Sequence, residues 1–198
     1  MVESPEHLLR QKLEQRLRLV EADPQQLAAV TAYAEARTTR CRRCHEVAGR
    51  SRTPETPLLA GQNPFYMVDQ FQRYADGRRD NFLMRTLANA MNDDDKINLA
   101  IYYAKMETAI AGGGTPEQRQ RGETIFKARC FQCHGEEGQG NRAVPRLAGQ
   151  PMGYTVFILQ AFRFGERGPI PSPIMAGIAQ QLANEEMEAV AAFIANME

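Results

Sequence analysis

The 198-residue chain has no tryptophan, only three histidines and only four cysteines. No apolar run approaches the roughly 20 residues that a membrane-spanning helix needs. Neither charge sign dominates, because 24 Lys and Arg balance 24 Asp and Glu. That balance offers no general attraction for nucleic acid or for an acidic membrane. It also holds regionally, with 16 basic and 15 acidic residues up to Ile110 and 8 and 9 beyond it. A charged docking patch must therefore be local. The opening Met1-Val2-Glu3-Ser4 has no basic stretch followed by an apolar one, so no signal peptide is visible. Strand-like alternation is nowhere sustained, and the expected fold class is all-α.

What is present is a repeat. Cys41-Arg42-Arg43-Cys44-His45 and Cys130-Phe131-Gln132-Cys133-His134 lie 89 residues apart and use every cysteine. Leu59-Ala60-Gly61-Gln62 returns as Leu147-Ala148-Gly149-Gln150 at an offset of 88. At that same offset Tyr66, Gln72, Gly77 and Arg79 return as Tyr154, Gln160, Gly165 and Arg167. Leu83-Met84 returns as Ile174-Met175 at 91, an offset that Leu99-Ala100 and Val190-Ala191, and Met106 and Met197, retain. A drift this small is what loop insertions produce. The period is too long for a solenoid, so each copy should have its own core.

The punctuation between the repeats divides the chain. Residues 1–24 form an N-terminal helical extension, in which Ser4-Pro5 starts a helix carrying Leu9, Leu13, Leu17 and Val20 on one stripe. That stripe is expected to pack on the first domain, with a partner or dimer contact as the alternative. The first domain spans 25–110, a flexible Gly-rich linker 111–115, and the second domain 116–198. Thr115-Pro116-Glu117-Gln118 has the composition of a helix start. Asp23-Pro24, Asn63-Pro64 and Gln150-Pro151 each start a helix, the first running towards Cys41. Gly77 and Gly165 mark two stops. Asn92 with Asp95, and Asn184 with Glu186, begin the last helix of each half.

A Cys-x-x-Cys-His run reads as a c-type haem attachment site. Two thiols three positions apart on a helical turn can each add to one vinyl group of the same haem. The following His is then placed to bind the iron from one face. On this reading Cys41, Cys44, Cys130 and Cys133 form the thioethers of two haems, and His45 and His134 are iron ligands. A zinc site is the first alternative, but each repeat supplies only two Cys and one His. A redox dithiol is the second, but the βαβ context of a thioredoxin-like motif is missing.

The sixth iron position needs another donor. The third histidine, His7, lies in the extension, so bis-His ligation of both haems is excluded. Met is the other common ligand in electron-transfer cytochromes and raises the potential. Met84 and Met175 hold equivalent places, 39 and 41 residues after their His and just before the last helix. Met106 and Met197 also match, but at helix ends where core residues belong, and Met91 pairs with Leu182. Met67 and Met152 have no matching Met. Repeat position therefore selects Met84 and Met175.

These features together resemble the cytochrome c4-type dihaem cytochromes, which are built from two tandem class I cytochrome c domains. The residues that carry the resemblance are the two Cys-x-x-Cys-His motifs, Pro57 to Gln62, Pro145 to Gln150, Gly77-Arg78-Arg79 and Pro173 to Leu182. It covers roughly residues 25 to 198. In that family the Met matching Met175 is the axial ligand, and the repeat carries this to Met84. Three departures stand out. The first domain has Tyr33 and Arg37 where the second has Gly122 and Phe126, it has His45-Glu46 where the second has His134-Gly135, and the extension is long.

The resemblance implies a periplasmic carrier of single electrons between redox proteins, with two covalently bound haems and no substrate chemistry of its own. Expected partners are a terminal oxidase, a quinol-oxidising complex or a dehydrogenase; Arg42 and Arg43 read as solvated surface or propionate-pairing residues, with a basic docking rim as the alternative. The alternative is a haem subunit held in a larger oxidoreductase, such as a flavocytochrome c sulfide dehydrogenase-like complex. A third reading, an enzyme with one open haem iron, requires one Met to be absent from its iron.

Overall fold

The computed structural model describes residues 4–45, 53–142, 144–167 and 172–198. Met1 to Glu3 and Glu46, on which two of the expectations rest, lie outside the described residues. The described residues form helices and turns without a strand, so the chain is all-α. The first half contains α1 (Pro5–Ala22), α2 (Pro24–Glu35), α3 (Arg42–His45), α4 (Pro64–Ala75), α5 (Phe82–Asn89) and α6 (Asp93–Ala104). The second contains α7 (Pro116–Arg129), α8 (Phe131–His134), α9 (Met152–Arg163), α10 (Pro173–Gln180) and α11 (Asn184–Ile194).

Local chemistry sets most of these boundaries. Ser4, Asp23, Asn63, Asn81, Asn92, Thr115 and Ser172 each accept a hydrogen bond from a backbone N–H of the first turn, which satisfies a donor that the helix itself cannot. Asn92 with Asp95 and Thr115 with Gln118 close full capping boxes. Two helices start without a capping side chain: Pro151 precedes α9, and Ala183 precedes α11, which begins at Asn184 as expected. At Ala183 the Glu186 carboxylate still accepts from the cap N–H at 2.9 Å, while Asn184 accepts from Arg163 at 2.6 Å.

Each half has its own core. The first gathers Val30, Met67, Val68, Phe71, Ile97, Leu99, Ile101 and Tyr103, and the second Phe126, Leu159, Phe162, Leu182, Met187, Val190 and Ile194. α1 lies on the first half, where its Leu9, Leu13 and Val20 are buried in that core. Lys12 and Arg16 pair with Asp93 at 2.6 Å and Asp94 at 3.2 Å, and Arg16 also donates to Asn98 at 2.7 Å. Glu14 reaches Arg142 of the second half. The extension is therefore a structural cover, as its apolar stripe requires.

The glycine run after Ala111 is fitted rather than loose. Gly112 N–H donates to Ala195 O at 2.7 Å, Asn196 donates to Gly113 O at 2.8 Å, and a Cβ on Gly114 would lie 2.4 Å from that of Ala192. Composition alone suggested flexibility, but packing on α11 fixes the segment.

The halves face each other with approximate two-fold symmetry. The buried Gln62 side chain spans to Arg146, donating to its carbonyl at 3.0 Å and accepting from its N–H at 2.8 Å. Gln150 does the same with Leu58, at 2.9 and 3.0 Å. Arg79 donates to Tyr154 at 3.3 Å, and Arg167 to Tyr66 at 3.2 Å. Every one of these residues has its counterpart in the other half.

Candidate functional site

Helix α3 and helix α8 are single turns that carry the two Cys-x-x-Cys-His motifs. In each, the first cysteine is half-buried and the second exposed, and no disulfide joins any of them. Burial pushes the Cys41 thiol up and takes Cys130 up to about 11. Such thiols are poor thiolate nucleophiles, which counts against a thioredoxin-like dithiol. Among the described residues no group of three His, Cys, Asp or Glu side chains gathers to hold a metal ion, so the zinc alternative has no shell.

Both motif histidines are buried and are held in the same way. His45 Nδ1 lies 3.0 Å from Pro57 O, and His134 Nδ1 lies 3.0 Å from Pro145 O. A carbonyl only accepts, so each Nδ1 carries the proton and each Nε2 keeps its lone pair for a metal. Burial pushes both imidazoles below the ordinary histidine pKa, because the charged form is desolvated.

Met84 and Met175 are also placed alike. Each is the third residue of a short helix, α5 or α10, and its N–H donates to the capping side chain, Asn81 at 2.9 Å or Ser172 at 3.4 Å. Each is half-buried and packs against the core of its own half. Exposed apolar residues precede them: Phe82 and Leu83 in the first half, Ile174 in the second.

Among the described residues, four buried side-chain atoms have no hydrogen-bond partner: Arg42 Nε, Arg85 Nε, Tyr103 Oη and Arg146 Nε. All four belong to residues that flank these groups. Arg42 lies between the first two cysteines, Arg85 follows Met84, and Arg146 follows Pro145. Burial first, and then the neighbouring Cys41 sulfur, push the Tyr103 phenol up. A buried, unpaired polar atom costs roughly 1–3 kcal/mol, and clustering such a cost here is what a bound group with its own acceptors would relieve.

Arg79 adds to that fit. It is only 8% exposed, and no described carboxylate pairs with it; its neighbours are Gln70 at 2.7 Å, the Tyr74 ring and Tyr154. Burial takes the Tyr74 phenol up to about 12. Burial is also the largest influence on Tyr154, but Arg79 and Arg167 together outweigh it and lower that phenol. Buried guanidinium groups of this kind suit the propionates of haem. The thiols, the Nδ1-anchored histidines and the unpaired donors therefore fit a haem in each half. When bound, haem supplies a one-electron ferric–ferrous couple.

In each half the first motif Cys and the candidate Met pack against the same core, but sequence reasoning assigned nothing to Gln62, Gln150 or Tyr103. The two glutamines were visible as repeated residues, and only the interface gives them partners. Tyr103 carries no repeat signal, because its counterpart at the same offset is Ile194.

A general family model for cytochrome c matches residues 119–198. Over 165 residues the chain is 33% identical to cytochrome c4 of Thiocapsa roseopersicina, covering 78% of this chain and 85% of that one. It is 29% identical to the thiosulfate dehydrogenase electron acceptor of Thiomonas intermedia, covering 83% and 81%. The crystal structure of reduced recombinant cytochrome c4 from Pseudomonas stutzeri superposes with a TM-score of 0.79 at 28% identity, covering 85% of this chain and 98% of that one. With its duplicated helical domains, its paired thiols and its two anchored histidines, the chain belongs to the cytochrome c4 family and is an electron-transfer protein that carries two covalently bound c-type haems.

Proposed function

We propose that Cys41 and Cys44 attach one haem and Cys130 and Cys133 the other, within domains divided at residues 111–115. His45 and Met84 are the axial ligands of the first iron, and His134 and Met175 those of the second. The observation that carries this reading is the matched geometry. Each His donates from Nδ1 to a proline carbonyl at 3.0 Å, and each Met is the third residue of an equivalently capped helix. With a haem bound in each half, these residues would fix ligand orientation and exclude water, and the haem would supply the one-electron couple.

The weak long-wavelength absorption band that Met ligation gives the ferric protein tests the assignment. Wild type should show it at the strength of two haems, and Met84→Ala and Met175→Ala should each remove about half. A one-haem band in wild type would place one open iron and bring forward the enzyme reading.

The proposed setting is periplasmic, where haem is attached to c-type proteins, with a terminal oxidase, a quinol-oxidising complex or a dehydrogenase as partner. No helix among the described residues is long and apolar enough to cross a membrane. Similarity to a thiosulfate dehydrogenase electron acceptor favours a sulfur-compound dehydrogenase among the donors. Stopped-flow reduction of the ferric protein by candidate dehydrogenases checks this, and reduction no faster with enzyme than without it removes that donor.

A further inference from the structure

Each half contains one peptide unit that meets both halves of the molecule. The carbonyl of the Pro57–Leu58 peptide accepts from His45 Nδ1 at 3.0 Å, and the N–H of the same peptide donates to Oε1 of Gln150, in the other half, at 3.0 Å. The Gln150 amide nitrogen also donates to Leu58 O at 2.9 Å. The counterpart is complete. The carbonyl of the Pro145–Arg146 peptide accepts from His134 Nδ1 at 3.0 Å, its N–H donates to Oε1 of Gln62 at 2.8 Å, and Gln62 donates to Arg146 O at 3.0 Å. Gln62 Oε1 also accepts from Asn63 N–H at 3.0 Å. The two glutamines are 6% and 5% exposed.

A peptide unit is planar and conjugated. Drawing its N–H towards an acceptor makes its carbonyl a better acceptor, so hydrogen bonds in series strengthen one another. A stronger acceptor on Nδ1–H in turn makes the imidazole a more basic ligand.

We propose that Gln150 and Gln62 are positioning residues that act crosswise: Gln150 of the second half tunes the haem bound through His45, and Gln62 of the first half tunes the haem bound through His134. This rests on the assignment of His45 and His134 as iron ligands. A more basic imidazole favours the ferric state, so loss of the glutamine should make the opposite haem easier to reduce.

The test is spectroelectrochemistry of the holoprotein with Gln150→Leu and Gln62→Leu, alongside NMR exchange of the two His Nδ1 protons in the reduced form. The Met84→Ala and Met175→Ala variants assign each signal to its half. Gln150→Leu should raise the reduction equilibrium constant of the first-half haem about threefold, roughly 30 mV for one electron, and speed exchange of the His45 Nδ1 proton. The second-half haem should hold its value. Gln62→Leu should give the reverse pattern. Gln150→Asn and Gln62→Asn, which keep the amide but shorten its reach, should do the same where the leucine variants fold poorly. A shift on the glutamine's own half, an equal shift on both haems, or no shift in properly folded protein overturns the proposal. Failure of the ligand assignment would appear separately, as wild-type spectra without two His-ligated haems.

Discussion

The two halves bring their first and last helices together by different means. In the second, Gly122 of α7 lets the α11 backbone come so close that a Cβ there would lie 2.0 Å from Ala189 O, and Phe126 packs on Phe193 with ring centroids 5.4 Å apart. In the first, Tyr33 and Arg37 occupy the corresponding places. The Tyr33 hydroxyl donates to Asp95 at 3.0 Å, Arg37 pairs with Asp95 at 2.6 Å, and the guanidinium lies 3.5 Å from the Tyr33 ring centre. α2 also ends at Glu35, short of Cys41, whereas α7 runs to Arg129 beside Cys130. The first half adds α1, which packs on α2, α4 and α6. One scaffold can thus be closed by an intimate apolar crossing, or by a polar clasp plus an added helix.

Removing that added helix should have the largest effect. A variant lacking residues 4–22 exposes the surface under Leu9, Leu13 and Val20, and at about 1.5–3 kcal/mol for each side chain the first half should lose on the order of 5 kcal/mol. Urea unfolding followed by far-UV circular dichroism should then split, with an early transition for the first half and a nearly unmoved one for the second. A single unchanged transition would mean that the cover contributes little.

Gly122→Val should come next. The obstructing atom is backbone and cannot swing aside, so forced separation of α7 and α11 should cost about 3 kcal/mol, confined to the second half. The polar clasp predicts the mildest change. Asp95→Ala removes the capping-box acceptor together with the Tyr33 and Arg37 contacts, for about 1–2 kcal/mol, and calorimetry should place the loss in the first half. If Asp95→Ala cost as much as Gly122→Val, the contrast between clasp and crossing would fail.

The Cys-x-x-Cys-His motifs, the repeat, the helix starts at Ser4, Asp23, Asn63, Asn92 and Thr115 and the matching positions of Met84 and Met175 are all legible in the sequence. Each is a local or periodic signal: a fixed spacing, a capping side chain, or a residue returning at a constant offset. The stripe Leu9, Leu13, Leu17 and Val20 reads as a buried face; Leu9, Leu13 and Val20 are buried and Leu17 packs half-buried against the same core. Tyr33 and Arg37 were visible as departures, yet their common partner Asp95 lies some 60 residues away and only the packed α2 and α6 bring them to it.

By itself the sequence determined an all-α duplicated chain with two Cys-x-x-Cys-His turns, because covalent spacing and helix periodicity act over a few residues and need no knowledge of the rest. Tertiary structure alone decided that the glycine run is fitted against α11, that Tyr103 meets Cys41, and that each half's histidine is braced through a glutamine of the other. Those outcomes depend on which surfaces meet, and contacts between residues 80 or 90 positions apart are fixed by the closure of the whole molecule.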